Sequence, residues 1–199
     1  MNEQEIIDTL SRPRRLYSRT EILARASPVP RKAGLYAWFF REIPHGVPLE
    51  GCTRSNGLVL LYVGISPKAP PRNGKRPSRQ TLWNRVRYHM QGNAYGSTLR
   101  LTLGCLLADE LGIALRRVGS GKRLTFAEGE HELSLWLESN AFVTWTTHPT
   151  PWIPEPAVIS SLSLPLNLDH NRAHGFYLRL KQIRAEAREK ARVLPIAAR

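Results

Sequence analysis

The sequence has few cysteines and no long hydrophobic run. Cys52 and Cys105 are its only two cysteines, so there is no C-x-x-C pair for a zinc cluster and no framework for a disulfide-rich secreted domain. No apolar stretch approaches the roughly 20 residues that cross a bilayer, and the opening MNEQEIIDTL lacks the apolar core of a signal peptide. We therefore expect a soluble protein without a membrane partner, located in the reducing cytoplasm.

Several common cofactor and catalytic motifs are also absent. The sequence contains no G-x-x-x-x-G-K-[ST] and no G-x-G-x-x-G, so a phosphate loop or a dinucleotide-binding fold has no support. His131-Glu132 is not followed by a second histidine at the spacing of a zinc protease. The commonest signatures of nucleotide binding and of zinc-dependent hydrolysis are thereby excluded.

Acidic residues are scarce relative to basic ones. The chain of 199 residues has 16 Asp and Glu against 29 Lys and Arg, which gives a formal charge of +13. This excess favours a polyanionic partner, and nucleic acid is the first expectation. The hydrophobic share of 42% is that of an ordinary globular protein, so we expect one domain with an appended arm.

Three apolar segments rich in β-branched and aromatic residues are bounded by glycine and proline and predict strands. They are residues 34–40, 58–65 and 141–147, and the first two are expected to pair antiparallel across a long loop over 41–57. Apolar residues at helical spacing predict the other elements. Those are helices over 2–10, 81–90, 99–117, 128–140, 155–162 and from 175 onwards, with a short strand over 124–126. The expected class is α+β, a small three-stranded antiparallel sheet flanked by helices.

Six polar side chains occur along these elements in an order that suits one active site. They are Tyr36, Tyr62, Arg85, His89, Glu155 and Asn167. Taken singly, each suits an ordinary role, such as a core-edge aromatic, a solvated helix face, a helix-start acid or a turn residue. Taken together, they suit phosphodiester hydrolysis, because a carboxylate can hold a divalent cation and a guanidinium binds phosphate oxygens.

Two tripeptides on the first two strands carry a family resemblance. Gly34-Leu35-Tyr36 and Tyr62-Val63-Gly64 resemble the two motifs that give the GIY-YIG nuclease family its name. The family's helical arginine, with a histidine one turn later, matches Arg85 and His89. The family includes homing endonucleases, excision-repair nucleases and some restriction enzymes. The resemblance implies a divalent-metal-dependent endonuclease, and DNA rather than RNA is the expected substrate.

Two later residues extend the match. The family's metal-binding glutamate, which opens a helix, matches Glu155, and its terminal asparagine matches Asn167. The resemblance covers about residues 33–171 as a nuclease domain. An N-terminal helix and basic arm (1–32) precede that domain, and a basic C-terminal helix (172–199) follows it.

The resemblance also implies a role for each side chain. Tyr36 is similar to the proposed general base or water-orienting group, and Tyr62 and His89 are expected to complete the hydrogen-bond network around that water. Glu155 is expected to bind Mg²⁺ or Mn²⁺, which keeps several waters and needs only one or two protein carboxylates. Arg85 is expected to contact phosphate. The amide of Asn167 is expected to fix a helix or a phosphate.

A departure from the family and a basic loop bear on nucleic-acid binding. The residue after Gly64 is Ile65 rather than lysine or arginine, so Lys68 or Arg79 is expected to supply that cation. The loop over 66–79 is rich in basic residues and proline, and suits either phosphate contact or a solvated linker. Trp152 is the tryptophan best placed to stack on a base. The predicted nucleic-acid contacts are Lys68, Arg72, Lys75, Arg76, Arg79 and Arg87.

Two other hypotheses about the function remain open. The first is a non-catalytic nucleic-acid-binding module that keeps the fold, which the net charge and the missing cation after Gly64 favour. The second is a subunit regulated by a protein partner or by homo-oligomerisation, in which the arm over 12–19 or the C-terminal helix docks another chain. Cleavage assays separate the first from an enzyme, and co-purification of a partner supports the second.

Overall fold

The structure is a computed structural model that describes residues 1–71, 73 and 78–197. The described residues form seven helices and six strands. The helices are α1 (Glu3–Ser11), α2 (Arg19–Leu23), α3 (Leu82–Gln91), α4 (Thr98–Leu106), α5 (Gly129–Asn140), α6 (Glu155–Ser160) and α7 (Tyr177–Val193). The strands are β1 (Gly34–Phe40), β2 (Arg54–Ser55), β3 (Leu58–Ser66), β4 (Arg116–Val118), β5 (Arg123–Thr125) and β6 (Ala141–Thr147).

The main sheet is antiparallel and has the order β2-β3-β1-β6. The predicted α+β class and the antiparallel pairing of the first two long strands are confirmed. The sheet has four strands rather than three, because β2 lies inside the predicted loop over 41–57. Asn56 and Gly57, both with positive φ, form the turn between β2 and β3, as an Asn-Gly pair does in tight hairpins.

The central strand β1 is covered on both faces, which explains its unbroken apolar sequence. All seven of its residues are buried. Leu35, Ala37 and Phe39 pack against α1 and α6 on one face. Tyr36 and its alternate neighbours face the other side, where α3, α4, α5 and α7 provide the core. Because side chains alternate across a strand, the tyrosine of the first motif points toward the face covered by four helices.

The predicted helix over 99–117 is wrong in its second half. Helix α4 ends at Leu106, and the chain then turns through Gly112, which has a positive φ, into β4. Strand β4 pairs with β5 in a separate two-stranded sheet. Leu107 and Leu115 keep helical spacing and are buried, but they reach the core from a turn and from the residue before β4. Tertiary packing therefore overrides a periodic pattern that suggests a longer helix.

The remaining helices agree with their predicted positions to within a few residues. Thr81 is the N-cap of α3, and its side chain accepts a hydrogen bond from the backbone of Asn84. Helix α7 packs on α4 through Leu180 and lies against β4. Among the described residues, no helix combines the length and the apolar character needed to cross a membrane.

Candidate active site

A cavity of about 1190 Å³ lies beside the second half of β3 and is also lined by Tyr36 of β1 and by residues of α3, α6 and α7. Strand β2 pairs only with Leu58 and Val59, so no described strand pairs with this edge of β3 from Tyr62 onward. Five of the six predicted site residues line the cavity. They are Tyr36, Tyr62, Arg85, Glu155 and Asn167. Side chains separated by more than 100 residues in sequence thus face one space.

The glycine of the second motif makes room for the tyrosine of the first. Gly64 pairs with Tyr36 across the sheet. A Cβ atom at Gly64 would lie 2.5 Å from the Tyr36 hydroxyl oxygen and 2.7 Å from its Cζ. A Cβ at Gly34 would collide with the backbone carbonyl of Thr146. The two motifs therefore need glycine for close packing, and the phenol of Tyr36 crosses over Gly64 to reach the cavity.

His89 lies one layer behind the cavity and contacts Tyr36. Its side chain is buried, with Nε2 2.8 Å from the Tyr36 hydroxyl and Nδ1 2.7 Å from the Ser97 hydroxyl. Trp38 packs edge-on against the imidazole ring. The predicted histidine therefore does not reach the cavity itself, because Tyr36 and Trp38 cover it, and any effect on a bound water passes through the phenol.

The hydrogen bonds of the Ser97 hydroxyl determine the tautomer of His89. The Ser97 hydroxyl is fully buried and accepts a bond from the backbone N–H of Arg100, as the N-cap of α4. Among the described residues, Nδ1 of His89 is the one acceptor within reach of the Ser97 proton. A buried hydroxyl proton without an acceptor costs about 1–3 kcal/mol. Ser97 therefore donates to Nδ1, and Nε2–H of His89 donates to the Tyr36 oxygen.

Burial sets the protonation states of this pair. Burial, followed by the positive charges of Arg85 and Arg100, holds the pKa of His89 well below 6.5, so the imidazole is neutral at pH 7. Burial and the neighbouring Tyr62 raise the pKa of Tyr36, and the guanidinium of Arg85 opposes that rise. At rest Tyr36 is a neutral phenol whose oxygen accepts a hydrogen bond from His89, so its own proton is free to point into the cavity.

Arg85 presents its guanidinium at the cavity wall. Its Nη1 donates to the carbonyl of Gly96 at 2.7 Å, and this bond fixes the position of the guanidinium. An arginine has five N–H donors, so the remaining donors are available to phosphate oxygens. Tyr62 lines the same wall, and its hydroxyl lies 3.4 Å from the hydroxyl of Thr98.

Glu155 begins α6 and directs its carboxylate into the cavity. The side chain is 16% exposed, and the nearest cationic candidate is His170, with Nε2 4.0 Å from Oε2. Burial and the negative charge of Asp169 raise the pKa of Glu155 to about 7, and Lys68 acts in the opposite direction. Among the described residues, no lysine or arginine lies within ion-pair distance of this carboxylate, so its oxygens are available to bind a cation.

Asn167 holds the open edge of β3. Its Oδ1 accepts from the backbone N–H of Val63 at 3.0 Å, and its Nδ2 donates to the Val63 carbonyl at 2.8 Å. The amide therefore replaces a neighbouring strand at the residue between Tyr62 and Gly64. Asn171 braces the same loop by donating to the backbone carbonyl of Asn167. The contacts of Asn167 are those of a residue that positions the second motif.

The predicted nucleic-acid contacts fall into three groups. Lys68 lines the cavity and interacts electrostatically with Glu155, whereas Arg79 is exposed and is not among the cavity residues. Arg87 is not among the cavity residues; it donates to the carbonyl of Ile22 at 2.6 Å and lies over the half-buried Trp83 ring. Arg72, Lys75 and Arg76 lie outside the described residues.

Sequence reasoning missed much of the cavity wall. Residues after Asn167 contribute a second set of polar side chains, and Trp152, the predicted stacking residue, also lines the wall. The additional polar and aromatic residues are Thr98, Thr102, Asp169, His170, Arg172, Tyr177, Lys181 and Arg184. Helical spacing of Tyr177, Lys181 and Arg184 on α7 was the available signal. Five cationic and two acidic side chains line the cavity, counting only the residues that the structure describes.

Comparison with known proteins supports the same interpretation. The family model described as the GIY-YIG catalytic domain matches residues 34–186. The match continues past the predicted domain end at 171 and includes the first ten residues of α7. Comparisons with curated proteins and with solved structures gave no significant match. Since the family model covers more than half of the chain and the cavity joins both tyrosine motifs to Arg85 and Glu155, this protein belongs to the GIY-YIG nuclease family.

Proposed function

We propose that this protein is a divalent-metal-dependent endonuclease that hydrolyses phosphodiester bonds of DNA. The observation that carries the proposal is the convergence of Tyr36, Arg85 and Glu155 on one cavity with an excess of cationic side chains. Hydrolysis of a phosphodiester needs an attacking water, a group that takes its proton and positive charge near the phosphate oxygens. Each requirement has a matching side chain in the cavity.

The donor set fits Mg²⁺ or Mn²⁺ better than zinc. Within the part of the chain that the structure describes, no three His, Cys, Asp or Glu residues are grouped as metal ligands, whereas zinc sites need three or four protein ligands. Mg²⁺ is bound through one or two carboxylates, waters and substrate phosphates. Glu155, which has no lysine or arginine within ion-pair distance among residues 1–71, 73 and 78–197, would hold the ion. When bound, the ion supplies Lewis acidity at the phosphate and lowers the pKa of water.

Tyr36 is proposed to accept a proton from the attacking water. The phenol must first be ionised, and its oxygen is prepared for negative charge by the Nε2–H of His89 and by the nearby guanidinium of Arg85. Because its pKa is raised, Tyr36 is a strong base once it is ionised, but only a small fraction of it is ionised at pH 7. His89 serves as a positioning residue, because it contacts the phenol and not the cavity.

Arg85 is proposed to neutralise the charge that develops on the phosphate. Its planar fork suits two phosphate oxygens, and its bond to Gly96 fixes its direction. In the single displacement, a water oxygen forms a bond to phosphorus while the bond to the leaving oxygen of the sugar breaks. Tyr36 takes one proton of the water and the leaving oxygen takes a proton from solvent, so the products are a phosphate monoester and an alcohol, with no covalent intermediate on the protein.

Other residues suggest how the substrate is held. Lys68 is proposed to supply the cation that Ile65 does not, since Lys68 lines the cavity and Arg79 does not. Trp152, half-buried at the cavity wall, is proposed to stack on a base. The proposed location is the reducing cytoplasm, in keeping with the free thiols of Cys52 and Cys105.

A cleavage assay tests the proposal. Wild type is incubated with plasmid duplex, single-stranded DNA, branched DNA and RNA in Mg²⁺, Mn²⁺ or EDTA. We expect metal-dependent cutting of at least one DNA substrate, and loss of cutting in Glu155→Gln. Glu186→Gln, which removes an exposed carboxylate on α7, is the charge-matched control and is expected to cut as wild type does. Equal absence of cutting by wild type and Glu155→Gln on every substrate would refute the enzyme proposal and favour a non-catalytic binding module.

A further inference from the structure

Arg184 is a charged side chain in the cavity that the proposed mechanism does not use. It lies on α7 at the cavity wall, and its buried Nε has no hydrogen-bond partner within the part of the chain that the structure describes. No ion pair found among residues 1–71, 73 and 78–197 involves its guanidinium. An arginine that is partly removed from water normally has a carboxylate or several carbonyl acceptors close by, so this one needs an explanation.

The surroundings of Arg184 increase the cost of its charge. Burial lowers its pKa, and the neighbouring guanidinium of Arg188, one turn further along α7, lowers it again. Asp169 opposes this lowering, and no ion pair between Asp169 and Arg184 is found among the described residues. An isolated charge that is desolvated beside a like charge destabilises the folded protein. A bound anion would remove that penalty.

The spacing along α7 identifies the rest of the site. Tyr177, Lys181 and Arg184 are separated by four and three residues, so they share one face of the helix, and all three line the cavity. The helix is fixed in this orientation because Leu180 and Ala191 are buried against the core. Besides Lys68 and Arg172, the cavity therefore has one cationic residue on α3, Arg85, and two on α7, Lys181 and Arg184.

We propose that Arg184, with Lys181, binds a phosphate of the nucleic-acid substrate other than the one that is cleaved. The guanidinium fork suits two phosphate oxygens, and the ammonium of Lys181 adds charge from the same face. Successive phosphates of a nucleic-acid strand would then bridge α3 and α7, and α7 forms part of the substrate site. The inference rests on the proposed function, because it requires that a nucleic-acid strand enters this cavity.

Binding measured without cleavage tests the inference. The probe is a short fluorescein-labelled DNA duplex, or the same strand alone, titrated in EDTA and followed by fluorescence anisotropy. We expect Arg184→Gln to weaken binding about 10-fold or more, as for loss of a hydrogen bond between charged groups, and to reduce the slope of log affinity against log salt by about 1. Arg179→Gln, an exposed residue of α7 outside the cavity, makes the same charge change and is expected to have a smaller effect.

A positional probe separates a phosphate contact from a general charge effect. Single phosphates of the DNA are replaced by neutral methylphosphonates. In wild type we expect one position besides the scissile phosphate to weaken binding, and in Arg184→Gln the same replacement is expected to have no further effect. Arg184→Lys, which keeps the charge but loses the fork, should bind with intermediate affinity.

Thermal unfolding in the absence of DNA distinguishes binding from a structural role. Because Arg184 has no ion-pair partner among the described residues, Arg184→Gln is expected to melt at or above the temperature of wild type. A lower melting temperature, or unchanged DNA affinity, would overturn the inference. If Arg85→Gln weakens binding and Arg184→Gln does not, the inference fails while the proposed function stands. If wild type binds no nucleic acid, both fail.

Discussion

Replacing Glu155 by glutamine should make the metal-free protein more stable at neutral and alkaline pH. The carboxylate is largely buried near Asp169, and its pKa is raised from 4.5 to about 7. The folded protein therefore holds this proton more tightly than the unfolded chain does. The stability that the protonated acid provides is complete below pH 4.5 and is lost as pH rises through 7. Glutamine keeps the shape of the neutral acid at every pH.

The size of the effect follows from the two pKa values. One unit of difference corresponds to 1.36 kcal/mol, so linkage gives a gain for Glu155→Gln of about 1 kcal/mol at about pH 5, about 2 at pH 6, and about 3 at pH 7 to 8. A pH-independent change in the free energy of unfolding, caused by the substitution itself, does not alter this pH dependence. The comparison therefore uses only how the difference in unfolding free energy changes with pH.

The assay is denaturant unfolding of wild type and Glu155→Gln in EDTA over this pH range, with Glu186→Gln as the control for loss of one negative charge. A second series with Mg²⁺ is expected to raise the stability of wild type and to leave Glu155→Gln unchanged, because only a ligand of the folded state stabilises it. If the difference between Glu155→Gln and wild type is the same at pH 5 and pH 8, the carboxylate is not held in a desolvated cavity and the reasoning is refuted.

Three further substitutions test the site and its support. Tyr36→Phe removes the hydroxyl that contacts His89, and cleavage is expected to fall by about 10²–10⁴-fold with the circular dichroism spectrum unchanged; activity near that of wild type would exclude Tyr36 as the base. Gly64→Ala places a methyl group 2.5 Å from the Tyr36 hydroxyl and is expected to reduce cleavage about 100-fold by displacing it, whereas Gly175→Ala, where no described atom lies within 4 Å of the new Cβ, should cut normally. Arg100→Ala removes a fully buried guanidinium that binds Glu130, and the free energy of unfolding should fall by about 3–5 kcal/mol; a loss below 1 kcal/mol would contradict this ion-pair account.

The sequence predicts the sheet well because its long strands carry strong local signals. The segment from Gly34 to Phe40 is uninterrupted in apolar character, and a strand covered on both faces requires that pattern. The short β2 was missed because two residues carry no periodicity, although Asn56-Gly57 is a hairpin signal in its own right. The overlong helix arose because leucines at helical spacing continue past Leu106, where only tertiary packing decides the path of the chain.

The sequence predicts part of the candidate site because the order of the motifs identifies Tyr36, Arg85 and Glu155. These three residues line the cavity. Spacing alone does not reveal that His89 is covered by Tyr36, or that the Asn167 amide replaces a strand at Val63, since both depend on which side of a sheet is open.

The wall formed by α7 is the largest omission from the sequence-based site. The composition of α7 predicts a basic surface helix, because charge and periodicity do not show which face of a helix lines a cavity. Among the described residues the Nε of Arg184 has no hydrogen-bond partner, and this can be recognised only once the atoms around its guanidinium are known. Unsatisfied charge in a cavity is therefore information that sequence periodicity does not carry.

The central claim is that Glu155 and Tyr36 serve one metal-dependent site, and a diffraction experiment with Mn²⁺ tests it most directly. Crystals soaked in Mn²⁺ are measured at a wavelength where the ion scatters anomalously. We predict one strong peak at coordination distance from the Glu155 carboxylate, inside the cavity that Tyr36 and Arg85 line. A cavity without such a peak, in crystals of protein that cuts DNA with Mn²⁺ in solution, would contradict the account.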